Sequence, residues 1–526
     1  MNKLTPTVSL KTSLKNTWSV FFGGFRRLTP IQEATIPHIL KGENVIVCSP
    51  TATGKTEAVI APLIERLIPQ KTNALILLYI APTRALLNNL LVRLDLGFKK
   101  CGFKAIVRTG DKPYLPKNPF QVLFTTPESL DSLLCRQKKI WRHIQAIVID
   151  EIHFLDNTYR GDQLRILLRR LLKEHLKTTP QFAALSATLY NPEEVGKRYF
   201  SPVQVIQTGQ PRLLKFYLFK DWDKIINLLK KKKWHKAIIF CNRRRDVEEL
   251  YLQLSQYWPK ERLLMHHGSL SRRLREETEI LLRQWRWGIC ICTSTLEIGI
   301  DIGDFDVAIC YYPPPTPSAF QQRIGRASRQ KEYQVAIGFY EEETEAECFN
   351  LYASLAHKGI VESMNYLPDF SVVVQQIFSI LFAHPAGLKL EQLFYLLSPL
   401  APEEIIEKII IHLSEKSWIE QIGKNFRASE KLMNMGEKGL IHSNIPNTKE
   451  FKVIEATTQK SIGEITTQAT KGHRFILAGK VWEVINIKGK NLFVRLVAHK
   501  PTLKVFHKRF SRGAFTHFLP PELTEA

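Results

Sequence analysis

The sequence predicts an α/β protein built on two tandem parallel sheets, followed by a helical module and a β-rich tail. Three observations lead there. Short apolar runs recur at α/β spacing in two successive rounds, and a phosphate-binding pattern follows the first of them. Past about residue 350 the alternation stops, and the apolar spacing turns first helical and then strand-like.

The first round comprises NVIVC (44–48), ALILLYIA (74–81), AIVR (105–108), QVLFTT (121–126), AIVID (146–150) and QFAALSA (181–187), with helical patterns between them. The second comprises KAIIFC (236–241), RLLMHHG (262–268), GICICTS (288–294), VAICYY (307–312) and QVAIGFY (334–340). Such short runs, apolar on both faces, are what a parallel sheet covered by helices on both sides requires. The joint between the rounds is expected within SPVQVIQTGQPRLLKFY (201–217). Domains are expected over 1–204, 205–348, 349–445 and 446–526, a number in keeping with 526 residues.

CSPTATGKTEAVI (48–60) carries the first chemistry. A strand that turns sharply into a helix points unpaired N–H groups and the positive end of the helix dipole at an anion. Thr53 and Gly54 belong to the turn, Lys55 would reach the terminal phosphates of ATP, and the Thr56 hydroxyl would hold Mg²⁺. Ser49 stands where the P-loop pattern has its first glycine. QAIVIDEIHFLD (145–156) supplies the second half: Asp150 at the end of a buried strand is the metal-ligand candidate, and Glu151 beside it the general base that aligns water.

A net charge of +24 points to a polyanionic partner, of which nucleic acid is the usual one, against the plainer reading of a basic soluble surface. The eight cysteines lack C-x-x-C pairing, and most, flanked by apolar residues, read as buried thiols of a reducing cytosol. The N-terminus has no apolar core of a signal peptide, and the longest apolar run is too short to cross a bilayer, so a soluble, cytoplasmic protein with no membrane partner is expected. His266 and His267 diverge as strand neighbours and have no further ligand at metal spacing. Lys230 to Lys233 read as a solvated basic face or a phosphate contact, and the prolines at 313, 314, 315 and 317 as a stiff loop.

RRLTPIQ, APTRALLNNL, RTGD, FTTPESL, DEIH, LSATLYNPEEV, HHGSLS, TSTLEIGIDIGDFD and QQRIGRASR occur in that order. Together they resemble the motifs of superfamily 2 DExH-box helicases, and specifically the Lhr-like (large helicase-related) branch. The resemblance implies two RecA-like domains, a winged-helix domain and a small β-rich C-terminal domain. It implies an ATP hydrolase whose nucleotide lies in a cleft, with Gln32 reading adenine and Gly299 and Asp301 on the ribose side. Arg326 and Arg329 would stabilise the transferring phosphoryl group on domain closure, sharing a face if the segment is helical. Glu297 and Asp301 would orient these arginines.

Contacts to a nucleic-acid strand would come from Thr83, Arg84, Thr125 and Thr126 in the first domain and Asn242, His267, Thr293 and Ser294 in the second. His153, Ser186, Thr188 and Gln322 would couple hydrolysis to grip, with hydrogen bonds between His153 and the serine–threonine pair. Ser328 stands where the family usually has glycine.

In the tail, the stretch 387–429 shows two helices and a strand pair around Trp418 and Phe426, the order of a winged helix. SIGEITTQA and the stretch 473–499, with a Lys488-Gly489-Lys490 turn, read as strands. The resemblance implies an ATP-dependent translocase or helicase moving 3′-to-5′ on single-stranded DNA and unwinding duplex, branched or DNA:RNA hybrid substrates, in repair or defence and with protein partners there. Remodelling of RNA, or an ATP-gated clamp within a larger complex, is the alternative. A chain cut near residue 350 is expected to keep both halves of the ATP site.

Overall fold

Val45, Ile46, Val47 and Cys48 form strand β1 (Val45–Cys48), buried on both faces as a central parallel strand must be. The computed structural model describes residues 6–24, 27–50, 53–70, 72–187, 189–208, 212–297, 302–328, 333–362, 366–446, 451–465, 470–497 and 513–524. Around β1 the first RecA-like sheet adds β2 (Leu77–Ile80), β3 (Ala105–Arg108), β4 (Val122–Thr125), β5 (Ala146–Ile149), β6 (Gln181–Ser186) and β7 (Gln204–Gln207). The strands are parallel throughout, in the order β3-β4-β2-β5-β6-β1-β7. Their carboxyl ends share one edge, and the sequence motifs follow those ends.

The second RecA-like sheet comprises β8 (Leu213–Phe219), β9 (Lys236–Cys241), β10 (Leu263–His266), β11 (Gly288–Cys292), β12 (Val307–Tyr311) and β13 (Tyr333–Phe339). It too is parallel, in the order β10-β11-β9-β12-β13-β8. The stretch read from sequence as a joint thus contributes an edge strand to each sheet, β7 and β8. Edge strands are covered on fewer sides, so β7 buries only Ile206 and shows no continuous apolar run.

The tail does not follow the motor as two further beads. The chain divides into two compact units, one made of Met1–Gly209, Ser363–Pro446 and Phe510–Ala526, the other of Gln210–Glu362 and Asn447–Arg509. In the first unit the added segment opens with a helix over Phe370–Ala383 that the sequence reading missed, buried at every residue from Ser371 to Ala383. A helix buried all round, with Gln375, Gln376 and Ser379 bonded to a buried carboxylate, loses the amphipathic signature that makes surface helices legible. Helices Leu390–Leu397 and Glu403–Glu415 follow, with a small sheet of β14 (Leu388–Lys389), β15 (Ile419–Ile422) and β16 (Asn425–Ala428), ordered β14-β16-β15.

A buried polar cluster joins this segment to the first sheet's helices. The Asp131 carboxylate accepts from Arg170 at 3.1 Å, Ser379 at 2.7 Å, Gln376 at 3.2 Å and His442 Nδ1 at 2.8 Å. Burial alone would lower the His442 pKa, but its hydrogen bonds to Asp131 and Cys135 outweigh that and raise it to about 9. Burial would raise Asp131, yet His442 and Arg170 bring its carboxyl below the usual range. Ligand atoms of Asp131, Cys135 and His442 lie within 4.8 Å of one another. The Arg170 guanidinium also bonds Asp131 and lies 3.8 Å from the Cys135 sulfur, so a divalent cation there would meet a fixed positive charge. The cluster is a clasp.

In the second unit, β17 (Phe451–Glu455), β18 (Ser461–Ile465), β19 (Arg474–Leu477), β20 (Lys480–Lys488) and β21 (Asn491–Leu496) form a sheet ordered β18-β17-β21-β20-β19. The turn between β20 and β21 falls at Gly489-Lys490, with Gly489 at φ 58°. Hydrogen bonds hold this sheet on the RecA-like one. Glu248 accepts from the Ala478 and Gly479 N–H groups, each at 2.7 Å. Glu464 N–H donates to Ser269 O at 2.7 Å, and the backbones approach so closely that a Cβ on Gly463 would lie 2.0 Å from the Ser269 oxygen.

Candidate functional site

The phosphate turn is built by β1 handing over to helix Lys55–Leu67. Gly54 caps that helix at φ +84°, where an L side chain is strained and where a Cβ would sit 2.2 Å from Gln32 Nε2. Ser49, in place of a glycine, is buried; its N–H donates to Ser186 O at 3.2 Å and its hydroxyl pairs with that of Thr53. The departure from the glycine pattern therefore adds a hydrogen bond inside the turn. Lys55 Nζ donates to the carbonyls of Ser49 and, at 3.3 Å, Pro50. Thr56 is half-buried on the first helical turn.

Gln32 lies beside this turn through its own helix, Pro30–Lys41. Its Oε1 accepts from Thr29 N–H at 2.9 Å, and its Nε2 reaches Gly54 O at 3.4 Å. Thr29 adds a bond from its hydroxyl to Thr53 O at 2.8 Å. The T-x-x-Q spacing of a capping box was the signal for Thr29, a residue the sequence reading did not single out.

Asp150 and Glu151 leave the end of β5 next to β1's neighbour β6. Asp150 is buried; it accepts from Tyr79 Oη at 2.6 Å and from Glu151 N–H at 2.9 Å. Burial first, and then the charge of Glu151, raise its pKa to about 7. Glu151 sits at φ 48°, ψ 46°, a left-handed conformation rare for a non-glycine residue and concentrated at functional sites. His153 Nδ1 lies 3.0 Å from Ser186 Oγ and 3.6 Å from a Glu151 oxygen. Burial, then the Lys55 charge, lower the His153 pKa to about 3, so the ring is neutral. Its Nε2 is buried and has no hydrogen-bond partner among the described residues. Tyr79, missed from sequence, is the polar tip in an otherwise apolar strand.

These residues fit Mg²⁺ and a polyphosphate. Thr56 and Asp150 are hard oxygen donors, Lys55 is a cation at a helix N-terminus, and the buried Asp150–Glu151 pair is favoured by an added positive charge.

In the second RecA-like sheet, Arg323 donates to Glu297 Oε1 at 2.5 Å and to Asn242 Oδ1 at 2.9 Å. Arg326 is buried, with Nη2 donating to Glu297 O. Arg326 lies past the end of its helix. The helix stops at Ile324, and Ala327 bridges to Phe305, with Ser328 N–H donating to Phe305 O at 2.7 Å. Ser328 adopts φ 54°, a conformation that favours glycine, and its hydroxyl donates to Asp306 O at 2.9 Å. Gln322 is buried on the same helix. Arg329, Gly299, Asp301 and Thr188 lie outside the described residues.

The strand-contact candidates divide. Arg84 and Ser294 are exposed, and Thr83 caps the helix Arg84–Lys100 by accepting from Leu86 N–H at 3.3 Å. Asn242 Nδ2 donates to Pro313 O at 2.8 Å, holding the proline loop. Thr126 and Thr293 are buried at strand ends. Two side chains point inward. Thr125 donates its hydroxyl to Arg108 O at 3.0 Å, and His267 Nε2 lies 2.9 Å from Glu248, the residue that also holds the C-terminal sheet.

Residues 29–195 match the DEAD/DEAH box helicase family, and residues 220–331 the helicase conserved C-terminal domain. The chain is 26% identical to the ATP-dependent helicase Lhr-Core protein 2 of Thermococcus barophilus, over 92% of this chain and 64% of that protein, so it spans just under two thirds of that relative's length. The fold is similar to that of helicase Lhr from Mycobacterium smegmatis bound to ssDNA and AMP-PNP, with TM-score 0.72 and 24% identity over 82% of this chain and 62% of that one. It is similar also to helicase MrfA bound to DNA and AMPPNP, with TM-score 0.74 and 20% identity over 93% and 72%. With both helicase domains matched in order and Lys55, Asp150 and Glu151 following the carboxyl ends of one parallel sheet, the chain belongs to the DEAD/DEAH box helicases of superfamily 2, with Lhr-Core-like relatives along most of its length.

Proposed function

We propose that this chain is an ATP-driven translocase that moves 3′-to-5′ along single-stranded DNA and separates duplexes or DNA:RNA hybrids. The observation that carries it is the convergence of Lys55, Asp150, Glu151 and His153 on the carboxyl edge of the first sheet, with His153 tied to Ser186. DNA is preferred over RNA because the relatives named Lhr and MrfA were captured on DNA. A role in repair or defence, alongside protein partners, rests on the same resemblance.

Lys55 would release the Ser49 and Pro50 carbonyls and bind the terminal phosphates. Thr56 and Asp150 would hold Mg²⁺, which supplies charge neutralisation at those phosphates. Glu151 would orient the attacking water, and Gln32 would report base occupancy to Gly54 and, through Thr29, to Thr53. Arg326 and Arg329 are the arginines assigned to the developing phosphoryl charge. His153, neutral and bonded to Ser186, would transmit the state of the phosphate to the segment that begins at Ser186.

The order helix Phe370–Ala383, β14, two helices, then the β15–β16 ribbon supports reading 366–446 as a winged helix that guides the strand. The test is ATP turnover with matched single-stranded DNA, single-stranded RNA and hybrid, together with displacement of a labelled strand from tailed duplexes of both polarities. DNA stimulation with displacement from 3′-tailed duplexes is expected. A rate indifferent to every nucleic acid overturns the proposal, and stimulation by RNA alone replaces it with RNA remodelling.

A further inference from the structure

The motif residues of the second RecA-like sheet follow the carboxyl ends of its strands, and a further set of basic residues gathers at the other edge. β10, β11 and β9 are neighbours in the sheet and all parallel, so the segments entering them lie side by side, within about 10 Å at ordinary strand spacing. Before β9 come Lys230 to Lys233, all exposed. Before β10 come Lys260 and Arg262, and before β11 come Arg283 and Arg286. The juxtaposition is close: Gly288 N–H donates to His235 O at 2.8 Å, and a Cβ on Gly288 would meet Arg262 O at 2.9 Å.

Aromatic surface is interleaved with the charge. The Arg262 guanidinium lies 4.5 Å from the Trp287 ring centroid and 5.5 Å from that of Trp285, and Trp287 is 40% exposed. Three lysines in the last turn of helix Trp222–Lys232 are accounted for by the helix dipole. That does not account for Arg286 or for an exposed tryptophan between arginines. Of the acidic groups nearby, Asp306 is occupied by the N–H groups of His235 and Lys236, at 2.8 and 3.0 Å, and Glu261 is exposed.

We propose that this amino-terminal edge is a second nucleic-acid site, which holds phosphates with Lys231, Lys233 and Arg286 and stacks an unpaired base on Trp287. It is separate from the motif edge of the same sheet and would engage strand that extends past the motor's own track. Charge interleaved with an aromatic face is the composition that binds single strands without sequence preference. The proposal rests on the reading of the chain as a nucleic-acid motor only for the class of its ligand.

The full chain tests it with a short and a long fluorescein-labelled oligothymidylate, comparing wild type with Lys231→Glu/Lys233→Glu/Arg286→Glu and, separately, Trp287→Ala. A control of equal charge change, Lys100→Glu/Lys104→Glu/Lys117→Glu, lies on exposed lysines of the first unit. The edge variant should weaken the long strand roughly tenfold and lower the slope of log Kd against log salt by about 2, at about 0.7 per lost phosphate contact. Binding of the short strand and ATP turnover saturated with it should be unchanged. Trp287→Ala should weaken the long strand with the salt slope intact. Equal affinity of wild type and edge variant for the long strand, or an equal loss in the control, overturns the second site. A wild-type chain that binds neither strand overturns the motor reading instead.

Discussion

Lys55 and Glu151 are assigned different parts of one reaction, and their variants should separate them. Lys55→Ala removes the cation that meets the terminal phosphates, so ATP turnover should fall by roughly 10² or more, with weakened binding of a fluorescent ATP analogue. Glu151→Gln keeps Asp150 and Thr56, so the analogue should bind nearly as in wild type while turnover falls comparably. Loss of analogue binding in Glu151→Gln would reassign the metal-holding role. Asp150 makes a further prediction. Its folded pKa of about 7 exceeds the ordinary carboxyl value of 3.8, so burying its charge costs stability that grows as pH rises from the ordinary value through about 7. Without nucleotide or Mg²⁺, Asp150→Asn should therefore raise Tm by roughly 2 °C or more at pH 8, and by less at pH 5. A drop at both pH values would show that the carboxylate is already satisfied. Of these residues, Lys55, Asp150 and Glu151 were legible because their types are rare at such spacing. Tyr79 was not, because nothing in the run ALILLYIA marks which neighbour its hydroxyl will meet.

At the scale of the element, the clasp around Asp131 carries a pH dependence of opposite sense. His442 is raised from 6.5 to about 9 in the folded chain, so its charged form contributes stability that is fully present below pH 6.5 and is lost as pH rises through about 9. The midpoint of unfolding of the first unit should fall across that window, and His442→Ala should flatten the dependence while costing about 3 kcal/mol, because Asp131 loses a buried donor. A wild-type profile flat from pH 6.5 to 9 would mean that His442 is neutral there. None of this pairing is visible in sequence. Asp131 sits in an ordinary amphipathic helix, Pro127–Arg136, and its partner lies 311 residues further on. The helix Phe370–Ala383 was hidden for a related reason: buried on all sides, it has no solvent-facing polar stripe to set its period.

For the whole molecule, the tail belongs within the units. Deleting everything after residue 350 would remove the helix Phe370–Ala383 from the first unit and strand Asp131, Arg170 and Cys135 against water. It would also uncover the β10 side of the second unit, where Glu248 and Ser269 meet the C-terminal sheet. The sequence-based expectation that such a chain keeps its ATP site intact therefore changes. The truncated protein should be poorly soluble or unfold about 10 °C or more below the full chain, since buried charge networks left half-made cost several kcal/mol each. A soluble truncation with the full chain's Tm and ATP turnover would refute this. Among the described residues no helix is long and apolar enough to cross a membrane.

The sequence by itself determined the two parallel sheets, the order of the helicase motifs and the placing of Lys55, Asp150 and Glu151 after strand ends. Those depend on local rules: apolar runs that must be buried on both faces, and glycine, lysine and carboxylates at the ends of those runs. Only the tertiary structure decided which half of the motor each part of the tail joins. The same held for His267, which turns to Glu248 instead of outward, and for the place where the arginine-bearing helix stops. Each of these is set by a partner far along the chain, such as Gly463 against Ser269 or Ala327 against Phe305, and local spacing carries no record of which distant backbone will arrive.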